Sequence, residues 1–292
     1  MTAFSYEQMI SRNPGFVTTE EQRRLREAPV FICGVGGMGG ACLMSLVRAG
    51  MTRFTIADFD RFEISNLNRQ LFATLRTVGV EKVQATLDGI RELNPEAEVR
   101  TYGAEWTGKL DEILASCKTV VNGMDDSRAA VLLYRKAREH GATVIDAYTS
   151  PLPSVTRVRP QDPRPEERWR APTVGKAWEA LTAEDLDALK ALEITYVLVN
   201  SSSHRYFDME IAGDVMSGRR PRPSFAPMVI LTGNLMAFEV IGHLLNRAGG
   251  AGCRGYFFNP WSGRAEAPRH APIAWVLRWI VRGKLEKMTH AR

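Results

Sequence analysis

Residues 34–39 read Gly-Val-Gly-Gly-Met-Gly, placing Gly34, Gly36, Gly37 and Gly39 between an apolar tetrapeptide and a stretch of helical periodicity. Small residues there let the backbone approach a phosphate, and the following helix N-terminus adds amide donors and the positive end of a dipole. Asp58 stands 22 residues after Gly36, the usual separation for a carboxylate that accepts hydrogen bonds from a ribose. Together these residues indicate a nucleotide without saying which one. A polar set of mixed charge follows: Asp60, Asn66, Arg69, Gln70, Lys82 and, further on, Asp125. Each has an ordinary explanation when taken alone. Arg69 reads as a surface partner of Asp60 or Glu63, and Lys82 as a solvated side chain near a helix start. Asn66 and Gln70 read as a polar face, and Asp125 as a cap for the helix that begins at Ser127, a task Asp126 performs equally well.

The elements that must position these groups alternate. Residues 30–33 read as a buried strand, Leu43, Leu46 and Val47 as helix closed by Gly50, and 54–57 as a second strand. Val83, Leu87 and Ile90 mark a helix that stops before Asn94-Pro95. Strands follow at 98–102, 119–124 and 143–146, with a helix over 127–140 closed by Gly141. This pattern predicts an α/β fold, a doubly wound, Rossmann-like, mostly parallel sheet. Beyond residue 148 the pattern changes. A strand is expected over 154–159, and the proline-rich, charged residues 160–176 read as a mobile loop or lid. Thr182 and Asp185 form a capping-box signature for a short helix to Leu192. A long apolar helix is expected over 228–246 and a late strand over 255–259. The chain thus divides into a leader helix region (1–28), a nucleotide-binding core (29–150), a crossover, lid and substrate-facing half (151–263) and a basic tail (264–292).

With 45% hydrophobic and 24% charged residues among 292, a folded globular protein is expected and disorder is excluded as the main state. The four cysteines, Cys33, Cys42, Cys117 and Cys253, form no CxxC pair, so neither a zinc site nor a disulfide framework is signalled, and a cytoplasmic location is expected. The N-terminus lacks the features of a signal peptide. The longest uncharged apolar stretch, 223–238, falls short of a bilayer span, so no membrane association is expected. The net charge of +5 resides in residues 264–292, with seven basic and two acidic side chains, leaving the body neutral and making nucleic acid an unexpected partner.

Read together, Asp58-Phe59-Asp60, Ser65-Asn66, Arg69-Gln70, Val78-Gly79 with Lys82, and Asn94-Pro95 form DxDxxxxSNxxRQ, then VGxxK, then NP. In this the sequence resembles the E1-like activating enzymes, the ThiF/MoeB/HesA group, over residues 5–148 in order and spacing. The resemblance implies an E1-like domain completed by a C-terminal extension, and an ATP-dependent adenylyltransferase with magnesium. Such an enzyme converts a carboxylate into an acyl adenylate with release of pyrophosphate. A carboxylate is already a nucleophile at neutral pH, so the step needs alignment and neutralisation of the triphosphate rather than a general base. By resemblance Asp58 meets the ribose and Asp60 belongs with the nucleotide-binding set. Asn66, Arg69, Gln70 and Lys82 surround the phosphates, and Asp125 holds the metal. Arg12 in the leader reaches the ATP of the other protomer of a homodimer. The implied acceptor is the C-terminus of a peptide or small ubiquitin-like carrier protein. The alternatives are a small-molecule or tRNA-borne carboxylate, and a non-catalytic binding partner.

The sequence departs from the sulfur- and ubiquitin-transferring members in two respects, lacking both the two CxxC pairs with which many hold zinc and a cysteine in the crossover region. No cysteine lies between Cys117 and Cys253, so a thioester step is not expected, and Cys253 is left as the one plausible reactive thiol. Asn200-Ser201-Ser202-Ser203-His204 places nucleophile and base types side by side, but sequence neighbours seldom build a triad, and a loop with a helix cap is expected. Residues 273–282 are expected to be buried against the body or a dimer partner. His140, His243, His270 and His290 have no metal-ligand spacing.

Overall fold

The computed structural model describes residues 3–216, 219–270, 273–274, 276–277 and 281. Its centre is one sheet of eight strands: β1 (Pro29–Cys33), β2 (Arg53–Ala57), β3 (Glu98–Tyr102), β4 (Thr119–Asn122), β5 (Thr143–Asp146), β6 (Ser154–Val158), β7 (Tyr256–Asn259) and β8 (Arg264–Glu266). The spatial order is β3-β2-β1-β4-β5-β6-β7-β8. β1 to β5 run parallel, and β6 to β8 continue the sheet antiparallel. The central strands β1, β4 and β5 are buried on both faces, which is why they read as short apolar runs without alternation. Chain direction across the sheet reverses between β1 and β4, and the crevice beyond their C-terminal ends is where α/β sheets bind ligands.

The helices are α1 (Tyr6–Met9), α2 (Thr19–Glu27), α3 (Gly37–Arg48), α4 (Lys82–Leu93), α5 (Leu110–Ser116), α6 (Ser127–Glu139), α7 (Pro165–Arg168), α8 (Ala183–Asn200), α9 (Met209–Met216) and α10 (Ala226–Leu244). One face of the sheet is covered by α3, α4 and α10, with Leu43, Leu46, Ile90, Met236 and Val240 in a shared core. The other is covered by α5 and α6, through Leu110, Leu114, Leu133 and Ala137. Each large aliphatic side chain buried there contributes about 1.5–3 kcal/mol. α10 lies close along α3. A Cβ on Gly233 would stand 2.6 Å from both the Ala41 Cβ and the Met38 carbonyl oxygen, so glycine sets the approach. By length and composition α10 is long and apolar enough to cross a membrane, which the reading of 223–238 as too short did not anticipate. In this fold its Thr232, Gly233, Met236, Ala237 and Val240 are buried.

Three expectations change. Residues 160–176 carry α7 and are packed against the body rather than free. Arg135 donates through Nε and Nη2 to the two carboxylate oxygens of buried Glu166 (2.9 and 2.8 Å), and Arg138 grips Glu167 (2.9 and 2.8 Å). Charges that look solvated in the sequence are consumed in forked pairs. The capping box of Thr182 and Asp185 is present, but α8 runs on to Asn200, because Thr195, Tyr196, Val197 and Val199 continue its buried side. α5, α9 and β8 had no counterpart in the sequence reading. Ser203–Arg205 form a 3-10 turn, and Ser202 Oγ and amide are both bound to the Glu266 carboxylate, so no triad forms there. Of residues 273–282, expected to be buried, half are described: Ala274 is buried, but Ile273 and Val276 are exposed, and the rest of the tail from 282 lies outside the described residues.

Candidate functional site

β1 ends at Cys33 and the chain enters the glycine loop. Gly34 has a positive φ of 86°, and a Cβ on it would stand 2.8 Å from the Gly123 carbonyl carbon. A Cβ on Gly39 would stand 1.9 Å from the Gly34 carbonyl oxygen, so Gly39 exists for backbone-to-backbone contact. Gly36 differs, since its Cβ would meet only the Gln70 amide at 3.6 Å. Gly36 is also the N-cap of α3 and supplies no side-chain bond, so the first-turn amides keep their donors for a ligand.

Asp58 follows β2. Its Oδ2 accepts from the Val35 amide and its Oδ1 from the Asp60 amide, both at 3.0 Å. Burial pushes its carboxyl up, opposed by those amide bonds and by Lys82. Lys82 is not solvated. It is 7% exposed, and its Nζ donates to Asp60 Oδ2 at 2.9 Å while its amide donates to the Asp60 carbonyl at 2.8 Å. Asp60 is thus tied to Lys82. Arg69 pairs with neither Asp60 nor Glu63; its Nη1 donates to the Ser65 carbonyl (3.0 Å) and to Asn68 Oδ1 (2.8 Å). Burial lowers its pKa, a nearby Arg222 lowers it further, and Asp125 opposes both. Asn66 is buried and spends its Oδ1 on the Glu63 amide at 3.1 Å, closing the turn that carries Arg69. Gln70 is buried with Oε1 unpartnered, beside Gly36, so a polar atom is left for a ligand to satisfy.

The two adjacent aspartates separate. Asp126 caps α6, accepting from the amides of Arg128 (2.8 Å) and Ala129 (3.2 Å). Asp125 is exposed at the cavity and makes no hydrogen bond or ion pair among the described residues. Among those residues no group of three or more His, Cys, Asp or Glu could hold a metal ion by itself. A single free carboxylate suits magnesium, which takes one or two carboxylates together with substrate phosphates and water.

These groups line one cavity of about 810 Å³, which includes Gly34, Gly36, Gly37, Asp58, Asp60, Asn66, Arg69, Gln70, Lys82 and Asp125. It continues past Tyr148 and Pro151 to Tyr206, Arg222, Phe225 and Trp261. The sequence reading had none of this second group. The proline on either side of Arg222 was the available signal. Arg12 is exposed and outside the cavity, in the turn after α1. Its neighbour Asn13 bonds the Ala49 carbonyl at the far end of α3, about 18 Å from the glycine loop for a 12-residue helix. None of the four cysteines lines the cavity. Burial raises the Cys33 and Cys42 thiols, and Cys253 is half-buried against the α5–α6 core. A smaller cavity of about 90 Å³ adjoins the first and is lined by Asp146 and Glu193, whose carboxyls burial raises.

The chain is similar in sequence and in fold to known proteins. The sulfur carrier protein adenylyltransferase of Thermus thermophilus is 37% identical over 125 residues, which are 40% of this chain and 46% of that protein. The tRNA threonylcarbamoyladenosine dehydratase of Bacillus subtilis is 40% identical over 89 residues, 30% of this chain and 35% of that one. The matched stretch therefore spans less than half of these relatives. Among solved structures, Escherichia coli tRNA N6-threonylcarbamoyladenosine dehydratase in complex with ATP has a TM-score of 0.59 at 17% identity, over 85% of this chain and 98% of that one. The fold is the E1-like one expected from the sequence. The ThiF family pattern runs over residues 10–271, through the parallel half of the sheet and its antiparallel extension alike, and this chain belongs to that family.

Proposed function

We propose that this chain is an ATP-dependent adenylyltransferase that activates a carboxylate as its acyl adenylate. One observation carries the reading: Lys82, Arg69 and the uncapped N-terminus of α3 converge on a single cavity in which Asp125 has no hydrogen-bond or ion-pair partner among the described residues. The glycine-loop amides would receive phosphate oxygens, and Asp58, already fixed by two amides, would accept from the ribose. Lys82 and Arg69 would neutralise charge along the triphosphate. Asp125 would hold magnesium, which supplies further neutralisation of the phosphates when bound. With no cysteine in the cavity, the adenylate is either released or passed directly to an incoming nucleophile.

The acceptor is the C-terminus of a peptide or small carrier protein, in keeping with the similarity to a sulfur carrier protein adenylyltransferase. A tRNA-borne carboxylate is the second reading, favoured by the likeness to tRNA threonylcarbamoyladenosine dehydratases. The working form is a cytoplasmic homodimer in which Arg12, remote from its own cavity, serves the partner's. Calorimetric titration should give binding of Mg-ATP and none of NAD. Exchange of labelled pyrophosphate into ATP should depend on the acceptor class supplied, carrier peptide or tRNA. Binding of NAD with no response to Mg-ATP would refute the reading. Mixing Arg12→Ala with Asp125→Ala subunits should restore some exchange, and verified heterodimers with none would exclude the trans role.

A further inference from the structure

Arg222 lies on a short connection between α9 and α10, in Pro221-Arg222-Pro223. The prolines fix their own φ and confine the residue before each to extended conformations, so the backbone at Arg222 is held at low entropic cost. Two bonds secure the strap. Asn68 Nδ2 donates to the Ser224 carbonyl at 2.9 Å, tying it to the turn that carries Arg69, and Arg222 Nη1 reaches Thr149 Oγ1 at 3.4 Å. The Thr149 amide in turn donates to Glu193 Oε1 at 2.6 Å. Arg222 therefore enters the cavity from the side of the β5–β6 connection, whereas Arg69 lies over Gly37, where its Cγ is 3.8 Å from the position of a Cβ.

Arg222 has no ion pair among the described residues, yet it lines the same cavity as a second guanidinium, that of Arg69. An anion bound between two like charges that share one cavity relieves their repulsion. Its field adds to burial in depressing Arg69, and it also acts on Glu193. The phosphate end already has Arg69, Lys82 and the α3 N-terminus. Arg222 adds a further guanidinium to the same cavity, beside Thr149 of the β5–β6 connection.

We propose that Arg222 binds the carboxylate of the acceptor, as the outer half of an arginine clamp whose inner half, Arg69, faces the nucleotide. This rests on the adenylyltransferase reading. The carboxylate oxygen forms a bond to the α-phosphorus, the bond from that phosphorus to the leaving pyrophosphate breaks, and no proton is taken up or lost. The fork of Arg222 holds the attacking group in line and, after transfer, faces the acyl carbonyl oxygen.

The test compares three probes by calorimetry: Mg-ATP, AMP, and the acyl sulfamate joining N-acetylglycine to adenosine, a stable mimic of a peptide-like acyl adenylate. Arg222→Gln should weaken the mimic about 10- to 100-fold and change Mg-ATP and AMP by less than about threefold. Arg222→Lys keeps the charge, loses the fork and should fall between. Arg69→Gln should weaken all three. Equal loss of Mg-ATP and mimic in Arg222→Gln would overturn the clamp, as would no loss of either. Loss of fold in both Arg222 variants would overturn it too, because an exposed guanidinium with one long hydrogen bond supports no core. A wild-type protein that binds neither Mg-ATP nor the mimic would instead remove the adenylyltransferase reading on which the clamp depends.

Discussion

Gly36 and Gly39 belong to one motif but should fail differently when given a methyl group. In Gly39→Ala the new Cβ would sit 1.9 Å from the Gly34 carbonyl oxygen, with the Gly34 carbon at 3.1 Å and the Gly123 Cα at 3.3 Å. Favourable carbon contacts begin at about 3.5 Å, so either the loop or the start of α3 must retreat by about 1.6 Å. The obstacles are backbone atoms that no rotamer change moves aside, which places the cost near the upper end of overpacking, about 3 kcal/mol. For a protein of this size that is about 5 °C in Tm. The displaced amides would also lose the phosphate, and Mg-ATP affinity should fall more than about tenfold. Gly36→Ala meets only the Gln70 amide at 3.6 Å, so its Tm should stay within about 1 °C. Its methyl group occupies the ligand side of the loop and should still weaken Mg-ATP. Differential scanning fluorimetry with and without Mg-ATP measures both effects. A Gly39→Ala protein with wild-type Tm and affinity, or a Gly36→Ala protein that loses several degrees, would refute the division of roles.

Asp126→Ala removes the cap of α6 and should cost about 1 kcal/mol of stability, whereas Asp125→Ala should leave stability unchanged and abolish pyrophosphate exchange; urea melts beside exchange assays separate them. Burial works against ionisation of Glu167, but bonds from the Arg138 guanidinium and from the amide and guanidinium of Arg164 outweigh it and hold the carboxyl at about 2. Because the folded value is depressed, the stabilisation is present above the unfolded value of 4.5 and is lost as pH falls towards 2. After allowance for solvent screening it is about 1 kcal/mol, so the gap in urea midpoint between wild type and Glu167→Gln should narrow steadily from pH 5 to pH 3. A protein with Cys33, Cys42, Cys117 and Cys253 all replaced should keep its exchange activity, with stability losses of about 1–3 kcal/mol from the buried positions. Loss of acceptor turnover together with a thiol-labile adduct in Cys253→Ser alone would instead assign that thiol a covalent step.

The sequence by itself determined the parts that depend on neighbours along the chain. Gly34 needs a positive φ, Gly50 and Gly141 close helices with one, and Thr182 with Asp185 caps α8 three residues away. Apolar runs and helical periods are equally local, so the alternation giving five parallel strands was legible, and with it the crevice above β1 and β4. Tertiary structure decided what depends on distant partners. Residues 160–176 look like a solvated loop until Arg135 and Arg138 of α6 meet Glu166 and Glu167, pairings across 31 and 29 residues. The start of α6 at Ser127 was legible, but that Asp126 rather than Asp125 accepts from its Arg128 and Ala129 amides was decided by the folded geometry. Arg222 reached the cavity because Asn68 holds Ser224 across 156 residues. Local propensity selects a backbone conformation residue by residue, but it does not say which charge will be neutralised by which. That is set by Coulomb and hydrogen-bond partners brought together only when the sheet and its covering helices are assembled.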